Sequence, residues 1–291
     1  MNIIASRKIF YTLSGILFAL AIASLMIRGI NLGSDFTGNA RFEIEFRDAL
    51  PSFDDVSKKL SDAGIRVISG EPKGDRGYLV RTDYLSEENH QKALTALRTI
   101  GELEERGFVS IGPSVGQQLR RNAFIAIAIA LVAIVLYISF AFRHVSKPVS
   151  SWMYGLMAIV ALFHDIVIPT GLFSLLQIEV DSLFVSAILT VLGFSIHDTI
   201  VVFDRIRENL RRTTGTFEEI VWRSLKETIT RSINTSMTTV LALLAIYFFG
   251  GESTKDFALA LIIGIIVGTY SSIFIASPLL VTYHSWREGR K

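Results

Sequence analysis

Six long apolar runs dominate the hydrophobic pattern of this chain. They are approximately Ile9–Ile27, Ala123–Phe142, Trp152–Phe173, Val180–Phe203, Ile233–Phe249 and Phe257–Tyr283. A helix needs about 20 predominantly apolar residues to cross the hydrocarbon core of a bilayer. The pattern therefore predicts a polytopic α-helical membrane protein with six transmembrane helices.

The first run also has features of a cleavable secretory signal. Arg7 and Lys8 precede it, and the small residues Ala21 and Ala23 imitate a cleavage site. Apolar character continues through Ile27, and only a retained helix combines an even helix count with positive loops on one side. We therefore predict that residues 1–28 remain in the protein as its first transmembrane helix.

A long polar insertion separates the first two runs, and we assign residues 29–121 to one α+β domain. Phe42, Ile44 and Phe46 alternate with acids, as in a half-buried strand. The pattern continues as strand, helix, strand, strand, helix, strand, an order typical of a ferredoxin-like fold. The approximate ranges are 41–47, 51–63, 65–69, 78–81, 86–101 and 108–111. No nucleophile cluster or metal-ligand spacing occurs in it, which favours binding or coupling over chemistry.

Positive charge between the apolar runs predicts the orientation. Lysine and arginine concentrate on one side, at Arg7, Lys8, Arg143, Lys147, the loop 204–231, Arg287, Arg290 and Lys291. The opposite short loops are mainly acidic. By the positive-inside rule both termini are cytoplasmic and the α+β domain is extracytoplasmic. Residues 122–291 then form a five-helix transmembrane bundle with a cytoplasmic loop at 204–231.

The fourth run carries an acid, Asp198, about one and a half helical turns before its end at Phe203. An ionised carboxylate at such a depth costs about 2.5–3.5 kcal/mol on insertion scales, so it is tolerated mainly where it faces protein or water. Beyond Phe203 the charges follow helical spacing, with Asp204 and Arg207 three apart. We predict one helix that leaves the membrane and continues into water.

Two further polar residues are candidates for the same site. Asp165 follows His164 in the third run. Instead of belonging to the Asp198 site, it could bond a neighbouring helix and hold the bundle together. Arg231 stands at the entrance of the fifth run, with Thr235 and Thr238 on the same helix face. A pair between Arg231 and Asp198 would offset part of the cost of burying each. Arg231 could equally be a snorkelling interfacial charge.

Composition narrows the possible functions. Half of the residues are hydrophobic and the net charge is only +2, so no strong basic field indicates nucleic acid. The mean hydropathy is +0.45. Without cysteine the chain has no disulfide, thiolate or cysteine–metal chemistry. Since it also has no Walker loop or His-Glu-x-x-His motif, we expect neither catalysis nor a metal or cofactor. Buried acids in such a bundle point to ion or proton movement.

A short glycine-containing motif, GSDFTG, follows the first run. It consists of Gly33, Ser34, Asp35, Phe36, Thr37 and Gly38. Because glycine adopts positive φ at no steric cost, the motif predicts a hinge and turn at the membrane surface. We treat Gly33, Asp35, Phe36, Thr37 and Gly38 as a motif at the base of the α+β domain.

Four motifs together resemble the SecF family of bacterial protein-export membrane proteins. They are SIHDTIVVFDRIRENLR from Ser195, GSDFTG from Gly33, the His164–Asp165 pair and RSINTS from Arg231. The resemblance covers nearly the whole chain and extends to one half of the resistance-nodulation-division transporters. Asn39 stands where the family usually has a second glycine.

The resemblance implies a subunit that works with a SecD-like partner in the bacterial cytoplasmic (inner) membrane. Such a complex uses the proton-motive force to help the Sec translocon move exported, unfolded polypeptides on the outer side, in contact with membrane lipid. By motif, Asp198 corresponds to the protonatable acid, Arg231 to its basic partner, and Asp165 to a further family position. Two alternatives are a half-size proton-coupled efflux or lipid transporter that pairs with a similar chain, and a membrane scaffold held together by buried polar residues.

Overall fold

The structure is a computed structural model, and it describes residues 2–47, 49–143 and 148–289. The chain divides into two compact units, a helical unit of Met1–Asn31 with Ile125–Lys291 and a small unit of Leu32–Phe124. In chain order the elements are α1 (Arg7–Arg28), α2 (Ser34–Thr37), β1 (Ala40–Phe46), α3 (Phe53–Asp62), β2 (Val67–Lys73), β3 (Gly77–Thr82), α4 (Glu87–Leu97), β4 (Leu103–Ser110), α5 (Pro113–Ala141), α6 (Ser151–Leu176), α7 (Ser182–Arg212), α8 (Phe217–Phe249), α9 (Glu252–Ser271), a π-helical segment (Ser272–Ala276) and α10 (Ser277–Glu288).

Among the described residues, six helical stretches are long and apolar enough to cross a membrane, as the sequence predicts. They are α1, α5, α6, α7, α8 and the combined stretch from α9 to α10. Half of the most apolar window of α6 and of α7 is buried, against 6% of that of α5. The stretch from α9 to α10 is buried over 67% of its window. Thus α6, α7 and this stretch form the inside of the bundle, whereas α5 presents most of its surface outward.

Two helices extend further than the apolar runs indicate. The helix α7 continues without a break to Arg212, as predicted. The helix α8 begins at Phe217 rather than near Ile233, so the second part of the loop 204–231 and the fifth membrane helix are one element. Its start is fixed by a capping box, in which Thr216 and Glu219 bond each other's backbone amides.

The sixth membrane stretch contains a π-helical segment between α9 and α10. Such segments are rare and occur often at functional sites. Just before it, small residues bring α9 against α7: a methyl group added at Gly268 would lie 2.9 Å from Cβ of Ser195. The small residues at this contact therefore allow the two helix backbones to pack closely together.

The small unit contains one antiparallel sheet in the strand order β2-β3-β1-β4. Its core contains Phe42, Ile44 and Phe46 from β1, packed with Leu60 of α3 and Leu97 of α4. The order of strands and helices agrees with the sequence pattern. The strand β4 starts at Leu103, however, five positions before the predicted Phe108.

Charged side chains explain why the sequence pattern does not show the first part of β4. Arg106 on this strand bonds Glu45 of β1 at 2.8 Å and Glu104 at 2.9 Å. These charged side chains cover the face of the sheet away from the core, and they hide the strand pattern in the sequence.

The predicted positive residues Lys147, Arg290 and Lys291 lie outside the described residues.

Candidate functional site

Asp198 lies inside the helical unit, on the inner side of α7. Only 3% of the residue is exposed. The hydroxyl groups of Ser232 on α8 and Thr269 on α9 face its carboxyl group. These hydroxyl groups do not pair fully with the carboxyl group, because Asp198 Oδ2 and Ser232 Oγ are both buried without a hydrogen bond of standard geometry. Two buried polar atoms without partners are costly, and they mark a place where a proton or another polar group is expected.

A pair of hydroxyl groups closes the site on one side. Ser236, one turn beyond Ser232, shares a hydrogen bond with Thr269, and both residues are buried. Thr269 also donates to the carbonyl oxygen of Ile265 at 2.8 Å. The carboxyl group of Asp198 therefore meets hydroxyl-bearing side chains from two neighbouring helices.

Arg231 and His197 approach the same carboxyl group from the exposed side. Each is the neighbour in sequence of a buried site residue, Ser232 and Asp198 respectively, and both are exposed. Their charges act on Asp198 through space. Within the described part of the chain, Arg231 and Asp198 are near each other but do not form an ion pair. The predicted partners thus share one region of the bundle without direct contact.

Asp165 has a different environment, in which every carboxylate oxygen has a donor. The residue is completely buried. Its Oδ2 atom accepts hydrogen bonds from Ser195 of α7 at 2.6 Å and Ser271 of α9 at 2.7 Å. Its Oδ1 atom lies 3.0 Å from Nδ1 of His164. Asp165 therefore ties α6 to α7 and α9.

The π-helical segment joins this polar layer. Ser272, its first residue, shares a hydrogen bond of 2.8 Å with Thr199 on α7. On the other side of α9, the hydroxyl group of Ser14 on α1 donates to Tyr270 at 3.1 Å. Polar contacts therefore connect α1, α6, α7, α8 and α9 across one level of the bundle. Among the described residues, no group of three or more His, Asp or Glu side chains is arranged to hold a metal ion.

The GSDFTG motif forms a tight turn within the small unit. Ser34–Thr37 is one helical turn, and Gly38 closes it at φ +73°. A side chain at Gly38 would overlap the backbone of Pro113, and one at Gly116 would lie 2.7 Å from the nitrogen of Gly38. The first turn of α5 is therefore packed directly on the motif.

Sequence reasoning missed the residue that stands opposite Asp198. Ser232 lies inside the run RSINTS, but the sequence pattern singled out another helix face, which contains Arg231, Thr235 and Thr238. The structure exposes these three residues and buries Ser232 and Ser236. A signal for Ser232 exists, because Ser224, Thr228, Ser232 and Ser236 repeat at steps of four residues.

Comparison with known proteins places the chain among protein-export components. The family described as protein export membrane protein SecD/SecF, C-terminal, matches residues 91–286. The protein translocase subunit SecF of Thermobaculum terrenum is 44% identical over 98% of this chain and 94% of its own length. That of Haemophilus influenzae is 37% identical over 93% of this chain and 82% of its own.

Solved structures agree with the sequence relatives. A crystal structure of SecDF from Thermus thermophilus, described as a translocon-associated membrane protein, matches 99% of this chain at 33% identity with a TM-score of 0.85. A super-membrane-facing form of SecDF matches at 32% identity with a TM-score of 0.71. This chain spans 39% of each SecDF chain. The multi-pass membrane protein described above thus belongs to the SecD/SecF family of protein-export membrane proteins.

Proposed function

We propose that this protein is the SecF-like subunit of a Sec accessory complex, in which the proton-motive force assists late translocation of exported polypeptides through the Sec translocon. The observation that carries the proposal is the Asp198 site. A carboxyl group is held inside the bundle with one oxygen unpaired, opposite an unpaired hydroxyl group on another helix. Gain or loss of a proton there changes the charge of the bundle interior without any cofactor.

We propose that the small unit is a ferredoxin-like extracytoplasmic domain and that both termini are cytoplasmic, in the inner membrane of a bacterium. The sheet order β2-β3-β1-β4 with two helices supports the fold. The dense positive charge of α7 and α8 near residues 205–226 supports the orientation. In this position the domain meets exported, unfolded polypeptides, and the bundle contacts lipid.

The partner of the bundle is a SecD-like subunit, and the exposed polar face of α7 and α8 supports this. His197, Arg231, Asn234, Thr235 and Thr238 are exposed within or at the end of membrane-spanning helices. Polar side chains are expensive against lipid and normally face protein or water. A second membrane protein on this face would cover them and enclose Asp198.

The fused relative supports the same partner. The SecDF protein of Thermus thermophilus is 35% identical over 95% of this chain, which spans 37% of it. A SecF-like region and further sequence therefore occur in one polypeptide there. We propose that a separate chain supplies the corresponding part here.

The proposed mechanism starts with protonation of Asp198. A neutral carboxyl group is attracted less to Arg231, so α7 and α8 change their relative position. Asp165 joins the relay as a second acid, and its hydrogen bonds from Ser195 and Ser271 hold α6, α7 and α9 together while α8 moves. The motion passes through α9 to α1 and to the turn at Asp35–Gly38. Each elementary charge that crosses carries about 2.3 kcal/mol per 100 mV, enough to bias such an equilibrium.

Replacement of Asp198 tests this function. The variant Asp198→Asn keeps the shape of the side chain and removes the titrating group. In vesicles that contain the translocon, the SecD-like subunit and this protein, it should abolish the stimulation of export by a proton gradient. The matched control is Asp204→Asn, which removes an exposed acid from the same helix. Assembly of both variants is checked by copurification with the SecD-like subunit.

Each alternative gives a different result. Normal gradient-driven export with Asp198→Asn refutes the proposed function and supports a scaffold. Proton-coupled movement of a small molecule or lipid by a pair of similar chains, without the translocon, supports the half-size transporter instead.

A further inference from the structure

A row of four hydroxyl side chains lies on one buried face of α8. Ser224, Thr228, Ser232 and Ser236 follow one another at steps of four residues, which places neighbours about 5–6 Å apart on a helix. Their exposed fractions are 0%, 7%, 1% and 7%. We name these four residues the hydroxyl row. The row lies on the inward face of α8, which before residue 232 also buries Phe217, Ile220, Val221 and Leu225.

The hydroxyl row connects Asp198 with a charged cluster nearer the positively charged end of the bundle. Ser232 faces Asp198. Two turns away, Ser224 accepts a hydrogen bond of 3.0 Å from Asn209, whose amide group also bonds Glu227 at 2.8 Å. Arg205 bonds Glu227 at 2.6 Å, and 36% of the Glu227 side chain is exposed. One end of the row is thus a buried acid and the other reaches an acid in contact with solvent.

Two atoms without hydrogen bonds mark the part of the row where a proton can be exchanged. Ser232 Oγ and Asp198 Oδ2 are buried without hydrogen bonds, whereas Ser224 and Thr228 donate to carbonyl oxygens of their own helix. A hydroxyl group that donates one bond still accepts another. The row therefore contains acceptors at every step between Asp198 and Asn209.

We propose that the hydroxyl row is the path by which a proton leaves Asp198 toward the cytoplasm. This inference rests on the proposed function and adds the route. The proton of the Asp198 carboxyl group passes to the oxygen of Ser232, which releases its own proton toward Thr228, and the same exchange continues to Ser224 and Glu227. One proton moves, each hydroxyl group is restored and no electrons are transferred. Single water molecules span the gaps of about 5–6 Å between neighbours.

Apolar residues of α7 close the row in the conformation described. Val202 and Ile206 lie between Asp198 and Asn209 on the same face by helical spacing, and both are completely buried. Water enters such a section only when the two helices separate. The proton path and the proposed movement of α7 against α8 are therefore the same event.

Removal of one hydroxyl group in the middle of the row tests the path. Thr228→Val keeps the shape of the side chain and deletes the hydroxyl group, and Thr228→Ser restores it. In the complete reconstituted complex we expect Thr228→Val to slow gradient-driven export and proton flux by roughly tenfold or more, and Thr228→Ser to recover most of the loss. The matched control is Thr230→Val, which changes an exposed threonine two residues away. Unchanged flux with Thr228→Val overturns the path.

Failure of the path and failure of the proposed function are distinguishable. If Asp198→Asn abolishes gradient-driven export but Thr228→Val does not, the function stands and the proton leaves elsewhere, for example along the exposed face of Arg231. If neither variant has an effect, the proposed function fails as well.

Cysteine labelling gives a second measurement that does not depend on activity. The natural chain contains no cysteine, so each single cysteine variant has only one thiol group that the reagent can label. In the complex, Ser232→Cys should react with a small water-soluble thiol reagent from the cytoplasmic side when a proton gradient is applied, and Thr230→Cys should react under all conditions. Labelling of Ser232→Cys only from the outer side, or not at all under a gradient, contradicts a cytoplasmic exit through the row.

Discussion

Replacement of each buried acid by alanine should show which acid stabilises the bundle through hydrogen bonds. We expect a larger loss of stability for Asp165 than for Asp198. Asp165→Ala and Asp198→Ala delete the same atoms from two inner sites of the helical unit. The cost of the cavity is therefore similar in both variants. The difference between them reports the hydrogen bonds that each carboxyl group makes.

The structure gives the size of that difference. Asp165 accepts from Ser195 at 2.6 Å and from Ser271 at 2.7 Å, and it pairs with His164 at 3.0 Å. Asp198 makes no hydrogen bond of standard geometry among the described residues, and its Oδ2 atom is unpaired. Interhelical hydrogen bonds in membrane proteins contribute on average about 0.6 kcal/mol and at most about 1.7. Two of these bonds, from Ser195 and Ser271, join Asp165 to other helices and correspond to about 1–3 kcal/mol, which Asp165→Ala loses and Asp198→Ala does not.

Thermal unfolding of the purified protein in one detergent measures this effect. A change of 1 kcal/mol shifts Tm by about 2–4 °C in chains of roughly 150–250 residues. We expect Asp165→Ala to unfold at least about 2 °C below Asp198→Ala. The variant Ser271→Ala, which removes one donor, should fall between them. Equal Tm values for the two alanine variants would refute the assignment of Asp165 as the acid that joins α6, α7 and α9.

Two further predictions concern the small unit. Gly38→Ala should lower Tm more than Gly64→Ala. Both glycines have positive φ, +73° and +79°, but only Gly38 lies against the backbone of Pro113. Equal losses in Tm would show that backbone strain alone matters. The pKa of Glu88 is lowered, first through its hydrogen bond from Lys92. The pair therefore stabilises the fold above the ordinary glutamate pKa, and this contribution is lost as pH falls through the lowered value. In an NMR titration, Lys92→Gln should raise the pKa of Glu88; an unchanged midpoint would contradict the pairing.

Much of the architecture follows from the sequence because a membrane imposes strict lengths. About 20 apolar residues are needed for each crossing helix, and the six runs meet this limit. Alternation at Phe42, Ile44 and Phe46 likewise defines β1 of the small unit. Element boundaries follow less directly from the sequence where charged side chains cover the outer face of an element. The sequence pattern does not show that β4 begins at Leu103, because Arg106 and its acid partners conceal this part of the strand.

The amino-acid sequence also identifies the candidate acids, because few charges occur inside apolar runs. Asp198 and Asp165 are both selected by that reasoning, but it does not separate their roles. The two acids differ only in what surrounds them. Asp165 has donors on both oxygens, whereas Asp198 has an unpaired oxygen, and that distinction depends on side chains from other helices.

The inward face of α8 is the clearest case of what only the tertiary structure decided. The sequence contains two polar stripes on this helix, one through Arg231, Thr235 and Thr238 and another through Ser232 and Ser236. Helical periodicity groups the residues of each stripe but does not determine which stripe turns inward. Packing of α8 against α7 and α9 buries the serine stripe and exposes the other. The group that faces Asp198 is consequently the hydroxyl group of Ser232, which the sequence did not single out. Which residues of α8 are buried depends on α7 and α9, and these helices are formed by other parts of the chain.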